Sequence, residues 1–288
     1  MSQIVSFAKA RILGAWRPPL RRLRSQWENW RFGRMGVRAT LCQESFRFKL
    51  GHEPMPPMTG KFWEDDRRLM QQFYDTIRPG QTVIDVGAFV GQYTLLAAQK
   101  VGATGRVVAF EPVPATYRIL IEHLLLNDFL DRVDAWPIAV GHANDFVGVY
   151  FQSHDPVRGH NSTNPSCFSE KGLTENLTSR MVPCVALGPF LDGIGIKPDV
   201  IKIDVEGSEI GALQSLQHIL QGDVTVFCEL HPHLWDEAEV QSSILQELMK
   251  KTGRCIVTLD GASWSNDRHE PVILRKRSEE EKGKDRRE

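Results

Sequence analysis

Four short segments carry residues able to act together chemically. Asp85 stands two residues before Gly87 in Val83-Ile-Asp-Val-Gly-Ala-Phe-Val-Gly91, and Glu111 follows roughly 26 residues later. Asp204 and Glu206 lie in Ile201-Lys-Ile-Asp-Val-Glu-Gly-Ser-Glu209, and Glu229 and His231 lie in Phe227-Cys-Glu-Leu-His-Pro232. A carboxylate at the place of Asp85 can neutralise a cationic group on a ligand. One at the place of Glu111 can accept both ribose hydroxyls of an adenosine. Gly87 lets the backbone turn tightly with no Cβ between chain and ligand, and Gly91 allows a similarly close approach where the next helix opens. Glu229 and His231 are two residues apart on a strand and so share a face. An acid beside an imidazole there can take up a proton.

The surrounding sequence must place these groups together, and its pattern does so. Short apolar runs at 82–86, 106–110, 133–139, 200–205, 224–230 and 255–259 read as strands, and helical periodicity over 92–101, 115–126, 210–220 and 240–251 reads as helices between them. Uniformly apolar strands alternating with helices predict a parallel sheet covered on both faces. In such sheets ligands bind outside the carboxyl ends of the strands, which is where all four segments fall. A dinucleotide fits poorly: Phe89 stands at the middle glycine of GxGxxG, and Asp85 would repel a pyrophosphate. The lysine and spacing of a phosphate-binding loop are also missing. S-adenosylmethionine (SAM) fits better, with its amino group and sulfonium toward Asp85 and its ribose toward Glu111.

These segments, together with Gln92-Tyr-Thr94 and Val107-Val-Ala-Phe-Glu-Pro112, resemble the FkbM family of SAM-dependent methyltransferases. The IDVEG strand end is the most specific of them. The resemblance spans residues 81–232 and implies a Rossmann-like class I methyltransferase fold: α/β, with a mostly parallel seven-stranded sheet, helices on both faces and a reversed last strand. It places Asp85, Gly87 and Gly91 at the methionine end of the cofactor, Glu111 at the ribose and Pro112 near the adenine, with Thr94 also among the cofactor-binding residues. Asn127 and Ala139 are further candidates for adenine contacts, although Asn127 reads equally well as a helix C-cap. One departure is that family members often carry Asn where Phe89 stands.

Methyl transfer from SAM is an in-line displacement, so alignment of the acceptor dominates. An alcohol acceptor must also lose a proton, which calls for a base or a metal. The catalytic candidates are Asp204, Glu206, Glu229 and His231. Asp204 contacts the methionine amino group or acts at the acceptor, and Glu206 bonds backbone in the turn that follows. Glu209 opens a helix, where an acid favours the positive dipole end. Asp204, Glu229 and His231 could hold a divalent ion, but they serve equally as base and acceptors, so no metal is assigned. His160 and Asn161, in the polar loop 159–164, are candidates for acceptor binding. The expected reaction is O-methylation of a hydroxyl on a sugar, glycan or other small natural product. N-methylation at the same site and non-catalytic SAM binding are the alternatives.

Composition narrows the partners. A net charge of -1 argues against a protein built to bind nucleic acid. The five cysteines show no CxxC spacing, which excludes the usual zinc and redox motifs and suits the reducing cytoplasm. Residues 1–45 read as a basic, tryptophan-containing helical extension, 46–80 as a lead-in loop and helix (the helix at 62–77), 81–276 as the methyltransferase domain and 277–288 as a charged, disordered tail. Within residues 1–40 nine lysines and arginines face the single acid Glu28. Three readings of that segment stand: peripheral contact with an anionic inner membrane face, an organelle transit peptide, or helices packed on the core. No apolar run reaches the roughly 20 residues that span a bilayer.

Overall fold

The computed structural model describes residues 36–49, 61–152, 162–163, 165, 168, 177–235, 237–265 and 268–278. The β-branched and apolar runs form β3 (Thr82–Val86), β4 (Arg106–Phe110), β9 (Val200–Ile203) and β10 (Thr225–Leu230), all fully or largely buried. With β5 (Val133–Trp136), β11 (Arg254–Thr258) and β12 (Glu270–Lys276) they make a seven-stranded sheet in the order β11-β12-β10-β9-β3-β4-β5. The pairs β5/β4/β3/β9/β10 are parallel, while β12 runs antiparallel to both neighbours. This is the class I methyltransferase sheet with its one reversed strand.

The expected strand 133–139 is divided. Pro137 has no N–H for a ladder, and beyond it the chain leaves the main sheet as β6 (Ala139–Gly141). There β6 pairs with β8 (Leu177–Ala186), and β8 pairs antiparallel with β7 (Asp145–Gln152), in a separate three-stranded sheet that shields one side of the cleft described below.

Alternating strand residues serve two helical layers. Ile84, Val86, Val108, Phe110, Ile201 and Ile203 pack against α4 (Leu187–Gly193), α5 (Glu209–Ser215), α6 (Gln217–Leu220) and α7 (Ala238–Thr252). Val83, Val107, Ala109, Val200 and Phe227 pack on the opposite face against α1 (Lys61–Thr76), α2 (Gln92–Val101) and α3 (Pro114–Leu126). Leu69, Met70, Phe73 and Ile77 give the α1 region its buried stripe at helical spacing. Among the described residues no helix is long and apolar enough to cross a membrane.

Residues 36–49 correct the expected division at 45/46. They form a hairpin of β1 (Gly36–Leu41) and β2 (Glu44–Lys49), not the end of a helical extension. Phe46 and Phe48 bury themselves against the α3 side, and Asn127 clasps the hairpin: Arg47 N–H donates to Asn127 Oδ1 (2.8 Å) and Asn127 Nδ2 donates to Arg47 O (2.7 Å). Residues 1–35 and 279–288 lie outside the described residues.

Arg254 is the largest of the fully buried side chains and ties the reversed edge together. Its guanidinium donates to the carbonyls of Leu220 (2.6 Å), Leu274 (2.7 Å) and Gly222 (3.0 Å). Arg254→Met is expected to lower stability by about 3 kcal/mol, because the carbonyls of Leu220 and Leu274 lose a buried donor and each orphaned group costs about 1–3 kcal/mol. Urea denaturation measures this. A loss below about 1 kcal/mol would mean that water replaces the guanidinium without strain.

Candidate active site

The carboxyl ends of β3, β4, β9 and β10 open into a cleft of about 630 Å3. It lies where the strand order reverses, with β4 on one side of β3 and the later strand β9 on the other, which is the position at which parallel sheets accept ligands. One half is lined by Gly87, Phe89, Glu111, Pro112 and Ala139, and the other by Lys202, Asp204, Glu206, Glu229, His231, His233 and His269.

Glu111, expected at the ribose, is buried and heavily used by the protein itself. Its Oε1 accepts Val113 N–H (2.8 Å) and Thr116 Oγ1–H (2.7 Å), and its Oε2 accepts Phe89 N–H (2.9 Å). A carboxylate offers about four acceptor positions, so one remains for a ligand hydroxyl, not the two expected. Burial pushes its pKa up to about 7, against the pull of these donors. Phe89 holds a left-handed φ of +51°. Asn tolerates that conformation far better than Phe, and the N–H bond to Glu111 fixes the residue in it.

The two glycines are required by protein neighbours. At Gly87 (φ +79°) a Cβ would lie 1.8 Å from the backbone oxygen of Asp204. At Gly91 (φ +97°) it would lie 2.5 Å from Leu120 Cδ1, so the close approach there is to helix α3, and Gly91 does not line the cleft.

Asp85 is likewise displaced from its expected role. It is completely buried behind the cleft, where Thr94 Oγ1 donates to its Oδ2 at 2.5 Å. Its register partner across β3 and β9 is Lys202. Burial raises its pKa, opposed by Lys202 and Thr94. Asp85 and Thr94 therefore support Lys202 from behind instead of lining the ligand site. Asn127, held on the hairpin and bonded to His123 O (2.8 Å), also lies away from the cleft, where it acts as a cap.

Lys202, which sequence reasoning missed, presents a buried ammonium to the cleft. It is 2.9 Å from Asp204 Oδ2 and 4.4 Å from the centre of the Tyr93 ring. Burial works against its charge, but Asp204 and Asp85 outweigh burial and raise its pKa. A lysine inside the otherwise apolar run Val200–Ile203 was the available signal. Tyr93 O–H in turn donates to Asp66 Oδ1 at 3.2 Å.

His231 anchors the other end. Its Nδ1 lies 2.9 Å from Glu209 Oε1, and Glu209 also accepts from Trp235 Nε1 (2.8 Å) and Gly207 N–H (2.8 Å). Glu209 therefore makes the turn contact expected of Glu206. It orients the histidine, beyond the helix-dipole role expected of it. Glu206, at φ +47°, projects into the cleft with Oε2 4.0 Å from His231 Nε2. Burial lowers the His231 pKa, but the bond to Glu209 and the charges of Glu209, Asp204 and Glu206 outweigh it and raise the value to about 10. Glu229 Oε1 meets His269 Nε2 at 2.9 Å, and the rings of His231 and His269 are 4.3 Å apart. His269 was also missed: it lies far along the sequence, just before β12. His160 and Asn161 fall outside the described residues, while their neighbours Ser162 and Thr163 line the cleft.

Comparisons with known proteins bear on this geometry. The family model for the methyltransferase FkbM domain matches residues 85–255, more than half of the chain. The solved methyltransferase FkbM from Methylobacillus flagellatus KT is 12% identical, with 76% of this chain and 56% of that one covered and a TM-score of 0.43. A SAM-dependent O-methyltransferase from Thermotoga maritima is 13% identical, with coverages of 84% and 73% and a TM-score of 0.43. Among curated proteins, ribosomal RNA large subunit methyltransferase E of Sorangium cellulosum (strain So ce56) is 41% identical over 56 residues, which is 19% of this chain and 24% of that protein. The chain thus spans about half of the first structure and a quarter of the curated relative. These likenesses are distant, and the family match is what assigns the protein: the chain belongs to the family defined by the methyltransferase FkbM domain.

Proposed function

We propose that the protein methylates a hydroxyl oxygen of a small polyhydroxylated molecule, a sugar or glycan being the best match. The observation that carries this is the ring of Asp204, Glu206, Glu229 and His231 at one end of the cleft, opposite Glu111. An alcohol needs a proton acceptor at the moment of transfer, and the carboxylates of this ring supply acceptors that a neutral amine would not require.

The residues present fit the cofactor. The remaining acceptor position on Glu111 Oε2 suits a ribose hydroxyl. Lys202 and Asp204, a cation and an anion 2.9 Å apart, match the carboxylate and ammonium of the methionine zwitterion. Bound SAM supplies an electrophilic methyl group on a good leaving group. His231, carrying its second proton between Glu209 and Glu206, holds positive charge beside the acceptor oxygen, and Glu206 takes the hydroxyl proton.

The test is methyl transfer from radiolabelled SAM to panels of hydroxylated acceptors and of amines. Glu206→Gln is expected to reduce turnover on the hydroxylated acceptor about 100-fold, with S-adenosylhomocysteine affinity changed less than about twofold. Transfer confined to amines would overturn the proposal.

Glu111 gives a separate expectation for the cofactor. A ribose hydroxyl donates to the carboxylate form, so binding favours ionised Glu111. With its pKa near 7, the apparent Kd for S-adenosylhomocysteine should fall up to about tenfold as pH rises from roughly 6 to 8, following the ionised fraction. Calorimetry across that range should show a flat profile for Glu111→Gln, and a persistent slope in that variant would assign the effect elsewhere. Glu111→Ala is expected to weaken binding at least about tenfold, or about 1.4 kcal/mol.

A further inference from the structure

We propose that Glu229, His231 and His269 bind a divalent first-row metal ion at the acceptor end of the cleft. The antiparallel pairing of β10 with β12 sets Leu230 opposite Glu270, which brings His269 beside His231 across 38 residues of sequence. One donor atom from each of the three residues lies within 4.8 Å of the others. Glu229 Oε1 and His269 Nε2 are 2.9 Å apart. Cis ligands of a six-coordinate ion held at about 2.1 Å lie about 3 Å apart.

The support behind His231 distinguishes this group from a chance cluster at a strand end. Glu209 is fully buried and takes the Nδ1–H of His231, and Trp235 and Gly207 fix Glu209 in turn. Nδ1 is thereby occupied, and Nε2 is the nitrogen left to serve the cleft. A carboxylate that holds the far nitrogen of an imidazole is the arrangement found behind metal-ligating histidines. A surface histidine bonded to a nearby acid has no such backing. Two imidazoles and one carboxylate suit zinc, cobalt, iron(II) or manganese better than calcium or magnesium. The acids Asp204 and Glu206, on the other side of His231, add negative charge that a dication would offset.

The role of the ion rests on the hydroxyl-transfer reading above, although its binding does not. An ion here would draw the acceptor oxygen and lower the pKa of its proton, leaving Glu206 as the base. It would place positive charge where the second proton of His231 otherwise sits.

The test uses the full chain, stripped with EDTA, exchanged into chelator-free buffer and titrated with Co2+ by calorimetry and visible absorption. One Co2+ per chain is expected. His269→Ala and Glu229→Gln should each weaken it at least about tenfold and flatten the ligand-field bands. Glu206→Gln should change the affinity less than about threefold, and every variant should keep wild-type affinity for S-adenosylhomocysteine, which reports an intact fold. No Co2+ uptake by the wild type up to roughly 1 mM would overturn the proposal. So would retention by His269→Ala alongside loss in Glu206→Gln, because the ion would then sit on Asp204, Glu206 and His231. Co2+ binding without methyl transfer to any alcohol would leave the metal site standing and remove the hydroxyl reading instead.

Discussion

Gly87→Ala is expected to cost more than about 4 kcal/mol, a loss large enough to leave little folded protein. Two effects add. The φ of +79° strains any residue with a side chain. The new Cβ would also fall 1.8 Å from Asp204 O, a backbone atom that a rotamer change cannot move aside. The turn after β3 and the turn after β9 would have to separate, which opens the sheet at the cleft itself. Gly261→Ala is the control, since its φ of +86° is similar but nothing lies within 4 Å of the added carbon. That variant should lose only about 1 kcal/mol. Equal urea midpoints for the two would mean that backbone conformation alone, and not the contact with β9, explains the glycine at 87.

His231→Ala carries the second large effect, and it divides into two parts. Removing the imidazole leaves Glu209 as a buried carboxylate without its histidine, which costs about 3–5 kcal/mol when a buried pair is broken from one side. It also removes the positive group beside the acceptor, with turnover falling by about 10²–10⁴. His231→Asn separates the parts. An amide N–H can still donate to Glu209, so most of the stability should return while turnover stays low. Denaturation midpoints and single-turnover rates on all three proteins measure this. If Ala and Asn prove equally unstable, Glu209 has other support and the histidine is not what holds it.

The runs 82–86, 106–110, 200–205 and 224–230 were legible as strands because burial on both faces demands unbroken apolar runs, and their ends located the cleft, although the third strand stops at Ile203 and the fourth starts at Thr225. The sequence could not show what each acid would meet across the sheet. Asp85 was expected to face the ligand, but the register of β3 against β9 sets it beside Lys202, and Thr94 closes over it. Glu209 looked like a helix-start acid because its partner His231 comes from another strand. The hairpin 36–49 was hidden in a basic stretch, where charge obscured the alternation of Phe46 and Phe48. Pairings between distant segments follow from topology and leave little local trace. That is also why Lys202 was readable in hindsight, as a charge in an apolar strand, whereas His269 was not.

The placement of His269 has a consequence for the order in which the protein matures. One half of the cleft is drawn mainly from residues 86–140, whereas the other waits on β9, on β10 and on a histidine that arrives only when β12 threads between β10 and β11. Domains fold as units, and β12 is an interior strand of the sheet. A nascent chain stopped before residue 269 lacks both an interior strand and a member of one end of the cleft. Insertion of the reversed strand therefore completes the sheet and the cleft in one step.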